Sequence, residues 1–312
     1  MKTRLTKLLN IDLPILQGAM AWISESQLVS AVSNAGGAGV IATGGRDASW
    51  LDDEIRKTRE LTNKPFGVNI VVLDSTNEEM VDLVCREKIS FVTFGAGNPV
   101  PHIKKLKEYG IKVLPVVPNL KLAKRVEEAG ADAVILEGME AGGHIGHIAT
   151  MAHMTNVIPN ISIPVIIAGG IADGRGIAAA LLMGAEGVQI GSRFLLAEEC
   201  QIHNNYKNRI IEAQDTDSVI TGYSTGHGVR GLKNTFSDEY IKNEFSGASA
   251  DELHKIAMGT YKKAVVEGDI ENGFVIVGQS VVPLNRIQSS KDIVDELIQE
   301  TKDTLKNAVK FL

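Results

Sequence analysis

Eight short apolar runs recur from the N-terminus to Ile190, their centres roughly 20 to 32 residues apart, the length of a strand plus a helix. They are Pro14–Gln17, Gly39–Ala42, Phe66–Val72, Ile89–Phe94, Lys112–Val117, Ala133–Leu136, Val165–Ala168 and Gly187–Ile190. Between them lie segments of helical spacing with polar faces, such as Glu54–Leu61, Glu78–Arg86, Val100–Tyr109 and Leu120–Ala129. Runs of Val, Ile and Leu without polar alternation are strands covered on both faces, hence a parallel sheet. Repeated eight times, the unit predicts an α/β chain folded as a (β/α)8 TIM barrel rather than an open doubly wound sheet.

The pattern breaks after the eighth run. Residues 1–197 are read as the barrel and 198–275 as a polar, mostly helical insertion that covers the barrel mouth after strand eight. Residues 276–312 are read as a return to the barrel. Val275–Ser280 regains strand-loop character, and Lys291–Phe311 is an amphipathic helix able to cover the eighth strand.

Composition narrows the function. The 312 residues carry a net charge of −6, which argues against a nucleic-acid partner. Apolar stretches stop short of the ~18 residues a membrane span requires. Two cysteines, Cys85 and Cys200, without metal-ligand spacing point to a reducing cytoplasm and no metal site. Aromatics make up only 5% of the chain, so its core must be aliphatic.

On the predicted C-terminal rim, small and polar residues gather where such barrels place their chemistry. Ala168-Gly169-Gly170-Ile171-Ala172-Asp173-Gly174 and Gln189-Ile190-Gly191-Ser192-Arg193-Phe194 follow strands seven and eight, the position of a phosphate cradle. Asn69 and Glu137 end buried strands, as structural groups or as partners of a ligand. The stretch Leu136-Glu137-Gly138-Met139-Glu140-Ala141-Gly142-Gly143-His144-Ile145-Gly146-His147 sets a histidine among glycines. An imidazole there suits proton transfer more than packing. His102, His153, His203 and His254 are read as solvated, while His227, in Gly226-His227-Gly228, is not so easily set aside.

Several of these stretches are shared with a known family. With Pro14-Ile15-Leu16-Gln17-Gly18-Ala19-Met20-Ala21-Trp22, Lys64-Pro65-Phe66-Gly67-Val68-Asn69-Ile70, Glu137-Gly138-Met139-Glu140-Ala141-Gly142-Gly143-His144-Ile145-Gly146 and Gly226-His227-Gly228-Val229-Arg230, the sequence resembles the nitronate monooxygenase (2-nitropropane dioxygenase) family. Within it, the flavin-dependent enoyl-acyl-carrier-protein reductase II branch of bacterial fatty-acid synthesis is the nearer likeness. The resemblance implies FMN at the barrel mouth. Its phosphate would lie on the loops of Gly169, Gly170, Gln189, Gly191 and Ser192, and its ring near Met20, Asn69 and Glu137, beside Gly18 and Ala19. It further implies NADH or NADPH as co-substrate, acyl-carrier protein bearing the enoyl thioester as partner, a homodimer and a response to monovalent cations. In that reaction charge grows on the thioester oxygen and a proton must reach the α-carbon, tasks for which His144 is the candidate. Two rival readings remain: a nitronate-oxidising flavoprotein using oxygen, and a flavin-binding barrel without catalysis.

Overall fold

The computed structural model describes residues 1–311. Its strands are β1 (Ile15–Gln17), β2 (Val40–Ala42), β3 (Gly67–Val71), β4 (Phe91–Gly95), β5 (Lys112–Val117) and β6 (Val134–Glu137). They continue as β7 (Gly143–His144), β8 (Val165–Ala168), β9 (Gly187–Ile190), β10 (Ser218–Thr221) and β11 (Val229–Leu232). One parallel sheet runs β1-β9-β8-β6-β5-β4-β3-β2. Its end strands meet at one bridge, Leu16 with Ala38. There the Gln17 N–H donates to Ala38 O at 2.9 Å and the Ala38 N–H to Ile15 O at 3.0 Å. The sheet is a nearly closed (β/α)8 barrel, as the apolar period predicts.

Side chains alternate across each strand, and the alternation sorts the core into two layers. Leu16, Val40, Phe91, Leu114, Ile135 and Ile166 fill the barrel interior. Val68, Val92, Val113, Val134, Val165 and Val188 face outward into the layer beneath the helices. Each such side chain contributes roughly 1.5–3 kcal/mol on burial. A short helix, Arg4–Leu9, plugs the N-terminal end of the barrel with Leu5 and Leu9. Leu5 fits because Gly187 has no side chain: a Cβ there would stand 2.3 Å from Leu5 Cδ2.

The chain leaves the barrel at Ala197 and rejoins it at Gln288, and these two residues form a parallel bridge. Gln288 N–H donates to Leu196 O at 3.1 Å and Glu198 N–H to Gln288 O at 2.9 Å, closing a clasp. Within the excursion, Phe236, Tyr240, Leu253 and Phe274 form a separate small core. Helices Asn204–Ile211, Thr235–Phe245 and Ala250–Ala257 are present, but the segment also holds β10 and β11, which the sequence reading lacked. These are antiparallel, and β11 pairs further with β7, setting Val229 opposite His144 and Arg230 opposite Gly143. Four residues each, set among glycines and polar side chains, they carry too little alternation to stand out.

Val275–Ser280, expected as strand-loop, forms no strand. Its backbone binds loops instead, with Gln279 N–H donating to Glu140 O at 2.9 Å. The C-terminal helix runs Ser290–Ala308 and packs on helices Gly174–Leu182 and Ser26–Asn34. Glu300 accepts the Gly174 N–H at 2.8 Å, fastening the start of the helix that follows β8. Among the described residues, no helix is long and apolar enough to cross a membrane.

Candidate active site

The period that fills the barrel also furnishes its mouth. Two residues beyond Gly67, Phe91, Leu114, Ile135, Ile166 and Gly187 come Asn69, Thr93, Val116, Glu137, Ala168 and Gln189, turned inward at the C-terminal end. A cleft of about 710 Å³, counted out to open solvent, lies above them. Its wall includes Gly18, Ala19, Met20, Glu137, Gly169, Gly170, Gln189, Gly191 and Ser192. Asn69 is not part of that wall; its Nδ2 donates to Thr93 Oγ1 at 2.9 Å. His144 also lies outside it, on β7 above the rim.

The wall holds residues that the sequence reading missed. Tyr261 enters from the excursion, and Ile276, Val277, Gly278 and Ser280 from the return segment. The signal was present in Val-Gly-Gln-Ser after an apolar run, but nothing in the sequence says that this loop meets the others. Ser192 Oγ accepts the Gly278 N–H at 2.9 Å, and Ser280 Oγ donates to Gly170 O at 2.9 Å.

Close backbone approach explains the glycines. Gly169 has φ +89°, and a Cβ there would stand 2.8 Å from Gly138 O. A Cβ on Gly142 would stand 2.6 Å from the Val277 carbonyl carbon. Among the described residues, neither the Gly170 nor the Gly191 N–H meets a backbone carbonyl. Two glycine loops thus bring free donors to the cleft wall, an arrangement suited to an anion.

The carboxylates divide by role. Glu140 accepts from the Thr150 N–H at 3.0 Å and lies 2.8 Å from its hydroxyl, so it caps the helix Thr150–Val157. Glu137 has no such partner among the described residues, and burial alone pushes its carboxyl up to about 7. It sits half-buried in the cleft wall, a group able to donate or accept for a ligand.

Above the cleft, β7 hangs from the β10–β11 hairpin. Ile145 N–H donates to Gly228 O at 3.0 Å, and buried Arg230 donates through Nε to Met139 O at 3.2 Å and through Nη1 to Ser218 Oγ at 2.6 Å. The Gly-His-Gly-Val-Arg stretch is therefore the buckle of the His144 loop. Burial, and then the charge of His227, hold the His144 imidazole below its ordinary range. His147 meets Tyr223 edge-on, ring centres 5.4 Å apart.

His203 and His254 are exposed, as read. His102 and His153 are not: they are 7% and 1% exposed. Each stands four residues before a buried aliphatic, Leu106 and Val157, and shares its inward stripe.

The model of the family described as nitronate monooxygenase matches residues 2–81 and 73–300. The chain belongs to that family. The nitronate monooxygenase relatives include a probable nitronate monooxygenase of Staphylococcus saprophyticus, 33% identical over 90% of this chain and 92% of that one. An octahydro-1H-indene-4-carboxyl-CoA dehydrogenase of Rhodococcus jostii is 32% identical over 96% of each chain. Among solved structures, FabK of Thermotoga maritima matches with TM-score 0.97 and 44% identity over 100% of both chains. These names describe oxidoreductases, and the nitronate monooxygenase family is one of oxidoreductases.

Proposed function

We propose that this chain is a flavin-dependent reductase of trans-2-enoyl thioesters on acyl-carrier protein, using NADH or NADPH. The observation that carries the reading is the likeness to FabK, an enoyl-acyl-carrier-protein reductase II, at 44% identity over both full chains. Relatives named as dehydrogenase or monooxygenase stand at 32 and 33%. Acyl-carrier protein as partner, a homodimeric assembly, a monovalent cation and a cytoplasmic location go with this reading.

The cleft fits FMN by its donor set: unpaired glycine N–H groups and an unpartnered carboxyl in the same wall. Gly169, Gly170, Gly191 and Ser192 would hold the phosphate, with Gly278 bracing Ser192, and Met20, Glu137, Gly18, Ala19 and Gln189 the remainder. Asn69, bound to Thr93 beside this wall, would reach the ring from β3. When bound, FMN supplies the hydride chemistry that links nicotinamide to the enoyl double bond. His144 supplies the proton that the α-carbon takes up and a hydrogen bond to the thioester oxygen as charge grows there. Its place on β7, outside the cleft wall, leaves cofactor retention to other residues.

The test is anaerobic spectroscopy on the purified yellow protein. NADH or NADPH should bleach the flavin band, and a trans-2-enoyl thioester should restore it. Bleaching by an alkyl nitronate, with none by reduced nicotinamide, would replace this reading with the nitronate-oxidising one that the family description favours.

A further inference from the structure

His227 is the one residue of the Gly226-His227-Gly228-Val229-Arg230 stretch whose side chain the chemistry above leaves unused. The ladder between β7 and β11 sets His144 opposite Val229. The Ile145 N–H bond to Gly228 O, 3.0 Å, carries the contact one step further, to the turn before β11. His144, the last residue of β7, and His227, in the turn before β11, each adjoin one member of that bonded pair.

We propose that His227 is the proton relay for His144, a second acid–base group of the site; the proposal rests on the enoyl-reductase reading. His227 is exposed, so it exchanges protons with water. The pair shares one proton, carried in on His227 and passed to His144. As hydride from the reduced cofactor reaches the β-carbon, the π electrons move to the α-carbon and take that proton from His144. The new C–H bonds are then complete, His144 is neutral, and water refills His227.

The other charged and titratable groups nearby are occupied. Glu140, on the same loop, is bound to Thr150, and Arg230 from β11 to Met139 O and Ser218. His147 and Tyr223 face each other. Burial is the larger cause that lowers the His144 imidazole, and the charge of His227 acts in the same direction.

NMR titration of the histidine ring Cε1–H signals in the flavin-loaded protein tests the relay. In His227→Gln the His144 midpoint should move to higher pH, and in His144→Gln the His227 midpoint should rise by the same amount, because coupling is reciprocal. Rapid mixing of His227→Gln should show slow reoxidation by enoyl thioester, rescued by added imidazole, with reduction by nicotinamide unchanged. Should the glutamine variant not fold, the wild-type His144 curve alone decides, being biphasic if the pair is coupled and single-step otherwise. Superimposable His144 curves in wild type and His227→Gln overturn the proposal. Coupled titration in a protein that reduces no enoyl thioester overturns the relay through the reading it rests on, and leaves the pair itself measured.

Discussion

The Ser192 hydroxyl accepts a 2.9 Å hydrogen bond from the Gly278 N–H, joining residues 86 apart in the chain. One partner belongs to the loop after the last barrel strand and the other to the segment that returns from the excursion. The anion end of the cleft is therefore assembled only once the excursion has closed.

Gly191→Asp should abolish flavin retention. The new carboxylate would occupy the cleft beside Met20 Sδ, which stands 3.6 Å from the added Cβ, and would repel a bound phosphate. Purified variant protein should be folded by circular dichroism yet colourless. Full flavin occupancy would remove Gly191 from the cradle.

His144→Ala should keep its colour and its reduction by nicotinamide but lose enoyl reduction by about 10²- to 10³-fold, the usual cost of one hydrogen-bond donor to a developing oxyanion. Stopped-flow traces of the two half-reactions separate the outcomes. Equal losses in both would assign the residue to loop structure.

Glu137 predicts a pH effect on the flavin-free protein. Its carboxyl titrates near 4.5 unfolded and about 7 folded, so the folded state holds the proton more tightly. That stability is present below pH 4.5 and is lost as pH rises through about 7, an amount of order 3 kcal/mol. Glu137→Gln should flatten this slope and raise the melting temperature at alkaline pH; an unchanged slope in denaturant titrations from acid to alkaline pH would refute the assignment.

Arg46 lies between two indoles, 3.8 Å from the Trp22 ring centre and 4.5 Å from that of Trp50, and pairs with Glu25 at 2.6 Å. Arg46→Ala should cost roughly 1–3 kcal/mol through lost stacking and a released carboxylate. Trp fluorescence should shift to the red, and Arg46→Lys should recover part of both. Unaltered emission would mean the stack is not formed in solution.

How much of this could be read from the residues alone varies with the distance over which each feature acts. The barrel was legible because each unit is local: Val165–Ala168 needs only its own apolar run to declare a buried strand. Glycine loops at 169–170 and 191–192 were legible for the same reason, as strand ends. Tyr261 and Gly278 were not, since their part in the cleft depends on where the excursion folds back. His153 was misread because the short helix Thr150–Val157 has no clean apolar face, so its inward stripe does not stand out in the sequence. The strand β7 could not be foreseen at all: two residues acquire strand geometry only from a partner about 85 positions away.

The clasp at Ala197 and Gln288 has an evolutionary reading. Because exit and entry points are already stitched together, the excursion between them is a closed purse hung on the rim, its mouth drawn shut by the barrel itself. Lengthening or trimming it changes the loop-closure cost by only ~0.6 kcal/mol per doubling and leaves the register of the barrel strands alone. Descendants of one barrel can thus exchange this pouch while the staves below remain as they were.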